Sequence, residues 1–196
     1  MKTFLATSLL TLTALTGWAQ GTVDFRNGGI TFATAADRFV YKGGIGGTKL
    51  TGTNYVAGLW FGTPSPTGTG GNFAGRTVTF RPTTTSSPGT WVVPNPVAVT
   101  LDGVDVGQTT TLQVRVWDIT KFSTFGAAYA GLGEVGWSAP FSYTVPRAGS
   151  TPDKYYMEGL RAFIAPNCLE CPEPSTLLLG GLGVAGLLAV RRRSRA

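Results

Sequence analysis

A chain of 196 residues with sixteen Lys plus Arg, ten Asp plus Glu and no histidine carries a formal charge of +6, and the missing imidazole excludes Ser-His-Asp, Cys-His and histidine-metal centres. The excess positive charge sits at the two ends: without Lys2, Arg191, Arg192, Arg193 and Arg195, eleven cations face ten carboxylates, which leaves +1 across residues 20–175. So neutral a body has no electrostatic footprint for phosphate, and nucleic acid is excluded as a partner.

Residues 1–19 read as a secretory signal peptide. Lys2 supplies a positive start, residues 4–15 an apolar stretch too short for an ordinary span, and Gly17-Trp18-Ala19 a small-x-small cleavage site before Gln20. From Gln20 to residue 166 the length suits one domain. Segments of β-rich composition, most of them alternating apolar and polar, fall at 23–25, 30–32, 38–41, 54–61, 76–81, 91–93, 97–101, 110–117, 141–145 and 160–164. Clusters of Gly, Pro, Asn and Thr separate them, notably at 42–48, 63–72 and 82–89, and a short helix is expected near 125–130. About ten short strands without helical spacers predict an all-β ectodomain, an antiparallel β-sandwich or jelly roll.

Chemistry in this body has only carboxylates and hydroxyls to draw on. Two carboxylates alone can hydrolyse a glycoside, and Asp102 with Asp105, or Asp118 with Glu134, are the pairs to nominate. Asp102-Gly103-Val104-Asp105 reads first as a turn between strands, and Asp118 as the cap of a strand end. Calcium on Asp102, Asp105 and loop carbonyls would want a loop denser in acids. The expectation is therefore no catalytic residue, no metal and no cofactor. Aromatic placement offers a binding hypothesis instead. Along 110–117, Leu112, Val114 and Val116 share one face and Gln113, Arg115 and Trp117 the other, just as Tyr55, Ala57, Leu59 and Phe61 oppose Val56, Gly58 and Trp60. If the first face is the core, Trp60, Trp117 and Arg115 look outward as a platform for a sugar ring. In the competing arrangement both tryptophans complete a second packing layer, with Arg115 stacked over Trp117.

Residues 167–175 form a linker that holds Cys168 and Cys171. An exported C-x-x-C pair without histidine suits a local disulfide, and surface cross-linking stays open. Redox or metal chemistry is disfavoured by Pro166 and Pro172, which oppose the helix that would activate a thiol. Pro172-Glu173-Pro174 comes next, each proline fixing its own φ and turning its predecessor away from helix, so that the segment is held extended. Residues 175–190 are apolar and glycine-rich, about 24 Å of helix at 1.5 Å per residue. That is short of a hydrocarbon core of about 30 Å but long enough to hold as a transmembrane helix. Arg191, Arg192, Arg193 and Arg195 then make residues 191–196 a basic tail that stays cytoplasmic and stops translocation.

A Pro-Glu-Pro tripeptide, a short hydrophobic helix and terminal arginines, in that order, resemble the bacterial PEP-CTERM sorting signal. The resemblance implies that an exosortase, a membrane-embedded cysteine transpeptidase-like enzyme, recognises Pro172, Glu173 and Pro174 and cuts near them. The helix would then be the retention element and the arginines the stop. Residues 54–60 and 112–118 make the body similar to ectodomains that precede this signal in environmental Gram-negative bacteria, which implies a surface domain and no particular reaction. The expectation is an exported, non-catalytic cell-surface or matrix protein, held briefly in the inner membrane with its body outside, then delivered to the envelope, surface or extracellular polysaccharide. A secreted carbohydrate-binding protein, or less readily a carbohydrate-hydrolysing one, is the alternative.

Overall fold

A computed structural model describes residues 20–168 of the chain. The expected signal peptide, Cys171, the Pro-Glu-Pro tripeptide, the expected membrane helix and the terminal arginines lie outside the described residues. Among the described residues no helix is long and apolar enough to cross a membrane.

The body is mostly β. Its strands are β1 (Gln20–Asp24), β2 (Val40–Lys42), β3 (Thr48–Lys49), β4 (Tyr55–Pro64), β5 (Gly70–Thr79), β6 (Ala98–Asp105), β7 (Thr109–Asp118), β8 (Glu134–Trp137), β9 (Phe141–Thr144), β10 (Phe163–Ile164) and β11 (Asn167–Cys168), with α1 (Phe125–Ala130) between β7 and β8. β4 and β7 are the longest pairing, in register from Tyr55 opposite Asp118 to Gly62 opposite Thr111. They centre a six-stranded sheet ordered β11-β8-β7-β4-β5, in which β8 and β9 share one edge of β7. Two smaller sheets, β1-β6 and β10-β2-β3, complete the body, and every strand pairing is antiparallel except β10 with β2.

Alternation along β4 and β7 gives the large sheet two apolar faces. Ala57, Leu59, Phe61, Leu112, Val114 and Val116 point into the main core, where they meet Val23 of β1, Leu101 of β6, Val40 of β2 and Phe163 of β10, together with Phe25, Trp91 and Leu160. Val56, Trp117 and Val135 occupy the opposite face and form a separate cluster with Phe125 and Ala128 of α1. Thr124 caps α1 by accepting from the Ala127 amide at 3.1 Å, as the expectation of a short helix at 125–130 requires.

Several local expectations are corrected. Residues 30–32 form no strand; Gly28 and Gly29 precede them, and the next residues are tied instead to Glu158, whose carboxylate accepts from the Ala33 amide and the Thr34 hydroxyl. Residues 91–93 contribute only a bridge between Trp91 and Phe80. The segment 102–105 is no turn: it lies within β6, where residues 102–104 bulge between the pairs Gly21–Leu101 and Gln20–Asp105 and Gly103 takes φ +77°. Half of the expected loop at 63–72 is strand, because β4 and β5 close through a tight hairpin at 65–69. β8 was hidden by Gly136, which reads as a turn signal but serves close approach: a Cβ there would lie 2.3 Å from the Cβ of Ala165.

One ion pair clamps the 33–38 loop to Glu158, in the segment that leads to β10. Arg38 is buried at 4% exposure and donates to the Glu158 carboxylate at 2.9 Å, while its guanidinium lies 3.9 Å over the Phe32 ring. Burial opposes ionisation of Glu158, but the Ala33 amide, the hydroxyl and amide of Thr34, and Arg38 outweigh it and hold the carboxyl below its ordinary 4.5. Asp118 likewise falls below its ordinary 3.8, since Thr120 and Lys121 outweigh its burial. A depressed folded-state pKa means that the unfolded chain binds protons first as pH drops. The stability these groups contribute is therefore complete well above pH 4.5 and is lost as pH falls through 4.5 and 3.8 toward the folded values. Thermal melts should be flat from neutrality to mildly acidic pH and decline below it, and Glu158→Gln should flatten the upper part of that decline.

Candidate functional site

Glycine at position 58 starts the most elaborate side-chain arrangement of the body. It stands opposite Arg115, with Val56 opposite Trp117 and Trp60 opposite Gln113, all on the face of the large sheet that looks away from the main core. A Cβ at Gly58 would lie 2.8 Å from Trp60, 3.1 Å from Phe73 and 3.3 Å from Trp117, so its absence lets three rings converge. Phe125 of α1 closes over them, its centroid 5.5 Å from Trp60 and 6.2 Å from Trp117. The Trp117 indole N–H donates to the Phe122 carbonyl at 3.1 Å.

Arg115 lies beneath this layer at 4% exposure. Its Nε donates to Gln113 Oε1 at 2.8 Å, and its Nη2 donates to the carbonyls of Thr69 and Gly70 at 2.9 and 2.6 Å. The guanidinium carbon is 4.6 Å from the Trp60 centroid and 5.3 Å from Phe125. Among the described residues no carboxylate faces it, and burial lowers its pKa to about 10. Gln113 is fully buried and donates to Ser65 O at 2.9 Å and Ser138 O at 3.1 Å, and the Trp137 indole donates to Pro66 O at 2.8 Å. The tip of the β4–β5 hairpin is thus folded back onto the sheet by three side chains.

The outward platform expected of Trp60, Trp117 and Arg115 is corrected by this geometry. Trp117 is 2% exposed and Arg115 is buried with it, because α1 and the folded hairpin cover the face that alternation left open. The arrangement is a second packing layer, with Arg115 over Trp60 and Phe125 rather than over Trp117. Trp60 stays half-buried and, with exposed Phe73 and the edge of Phe125, walls a groove of about 210 Å³ whose rim carries the hydroxyls of Thr77, Ser123 and Thr124. Phe73 escaped the sequence reading because only the β4–β5 register brings it opposite Trp60.

Gly68 shows how tightly the hairpin is seated. It adopts φ +79°, and a Cβ would lie 2.6 Å from the Trp137 ring. Gly68→Ala combines left-handed strain with overpacking and is expected to cost roughly 2 to 4 kcal/mol in urea unfolding.

The nominated carboxylates behave differently from one another. Asp118 and Glu134 are brought together by Lys121, whose ammonium lies 3.4 Å from one and 3.2 Å from the other. Tyr55 also donates its hydroxyl to Glu134 at 2.8 Å, and Asp118 is 4% exposed and held ionised. A general acid for glycoside hydrolysis needs a raised pKa and access to substrate. Asp118 has neither. Asp102 lies within the β6 bulge, and Asp105 pairs with Gln20 just after it. Among the described residues no three His, Cys, Asp or Glu side chains converge to hold a metal.

At the C-terminal end of the body, β11 lies along β8, with Asn167 opposite Val135 and Cys168 opposite Glu134. The candidate disulfide to Cys171 falls outside the described residues, as do Pro172, Glu173, Pro174, Arg191, Arg192, Arg193 and Arg195. A family model for the PEP-CTERM protein-sorting motif matches residues 170–193, beginning two residues beyond the last strand. No curated protein and no solved structure matches the chain.

Proposed function

We propose that this is an exported, non-catalytic surface or matrix protein of a Gram-negative envelope, sorted through its C-terminal signal and cut there by an exosortase. The sorting-motif match over residues 170–193 carries this reading. In it, residues 1–19 are a cleaved signal peptide, 20–166 a sandwich-type ectodomain, 175–190 a transient membrane helix, and Arg191, Arg192, Arg193 and Arg195 the cytoplasmic stop. Two facing apolar layers on one large sheet support the ectodomain assignment, since such a sheet folds only when both faces are covered. The Lys121 bridge between Asp118 and Glu134 supports a non-catalytic role.

Spacing supports the processing step. From Cys168 at the end of β11 to Pro172 is four residues, at most about 14 Å of extended chain. In sequence the apolar segment follows the tripeptide directly. Mass spectrometry of the mature C-terminus from native cells tests the reading. The expected product ends near residues 172–174 and lacks 175–196. An intact C-terminus in the membrane fraction would overturn processing, and a product confined to the cytosol would overturn export.

A further inference from the structure

We propose that the groove walled by Trp60, Phe73 and Phe125 binds a pyranose ring of a neutral polysaccharide; only the choice of polysaccharide met in the cell rests on the sorting reading above. The lining points to the chemical class. It is chiefly aromatic ring carbon, Thr77, Ser123 and Thr124 are its hydroxyl-bearing residues, and it contains no charged side chain. A sugar ring presents the matching surfaces, an apolar C–H face and a rim of hydroxyls.

Charged ligands find no partner here. Arg115 is 4% exposed, lies against Trp60 and Phe125, and has its Nε and Nη2 engaged by Gln113, Thr69 and Gly70. No carboxylate reaches the groove to receive a cation. Thr77 and Ser123 line the groove, and their hydroxyls make no hydrogen bond within the described residues. Thr124 already accepts from Ala127 but keeps its own proton to donate.

Shape and rigidity agree with this class. A volume of about 210 Å³ is below that of pockets for drug-sized ligands and suits one ring. Phe73 stands on β5, the last strand in the order of the large sheet. Trp60 is held from several sides, by Arg115 at 4.6 Å, Phe73 at 4.8 Å and Phe125 at 5.5 Å, and little side-chain freedom is left to lose on binding. Phe73, at 44% exposure, is one of the largest apolar side chains left open on the body.

The full chain, purified in a sugar-free detergent, is titrated with cellohexaose, xylohexaose, mannohexaose and laminarihexaose, with tryptophan emission and calorimetry as readouts. Saturable binding of at least one, with a change in tryptophan emission, is expected. Phe73→Ala, at an exposed position, should weaken it about tenfold with circular dichroism unchanged. Thr77→Trp, which fills the groove from an exposed position, should abolish it. No saturable binding to any of the four, or binding untouched by both variants, overturns the proposal. So does tight uptake of the neutral apolar dye N-phenyl-1-naphthylamine that none of the sugars displaces. C-terminal processing, read by mass spectrometry on the same cells, reports on sorting independently, so the failure of one reading does not imply the failure of the other.

Discussion

Replacing Pro172, Glu173 and Pro174 together by alanine is expected to abolish C-terminal processing and leave the precursor in the membrane fraction. The two prolines fix their own φ and bias their predecessors toward extended backbone, the form that a peptidase groove accepts as an added strand. Alanine removes that restraint and is the best helix former, so the extended form offered to an enzyme is lost. It also removes the one carboxylate between the prolines. The effect should be nearly all-or-none in the mass of the mature C-terminus, with export across the inner membrane unaffected because residues 1–19 are untouched. Replacing Arg191, Arg192, Arg193 and Arg195 by glutamine should act differently, loosening retention while the cut site stays intact. A triple-alanine chain trimmed to the wild-type mass would remove the tripeptide from the recognition step.

Arg115→Ala is expected to destabilise the body by about 3 kcal/mol in urea unfolding. The loss has three parts. Gln113 Oε1 and the Thr69 and Gly70 carbonyls lose their donors, two of them in the hairpin tip. Trp60 and Phe125 lose the guanidinium that lies against them, and truncation leaves a hollow beneath the aromatic layer. Arg115→Lys should recover little of this, since one ammonium on a flexible stem cannot reach Gln113 and two carbonyls in the geometry a planar fork provides. A loss under about 1 kcal/mol for Arg115→Ala would mean that water replaces the guanidinium and that the hairpin is held by Gln113 and Trp137 alone.

The strands that carried the clearest alternation were the ones legible in advance. Residues 54–61 and 110–117 became the cores of β4 and β7, and the division of Leu112, Val114 and Val116 from Gln113, Arg115 and Trp117 was right in every position. The short helix expected near 125–130 is present as α1. Two-residue pairings such as β3 and β11 were not readable, because so short a segment has no period to detect. The bulge at 102–104 was mistaken for a turn for a related reason: Asp-Gly is the same chemistry in both, and only the partner strand distinguishes them.

Local sequence thus determined the β class, the strand faces and the sorting tail, since each depends on residues close together in the chain: a period of two, or a tripeptide beside an apolar run and a basic end. Tertiary structure alone decided that the second face of the large sheet is covered, that Trp117 and Arg115 are buried, and that Trp60 meets Phe73 at a groove. Alternation states which side chains share a face, but what covers that face is set by α1 and by a hairpin that folds back from another part of the chain. Such long-range closure depends on strand register and loop path, and neither leaves a periodic mark in the sequence.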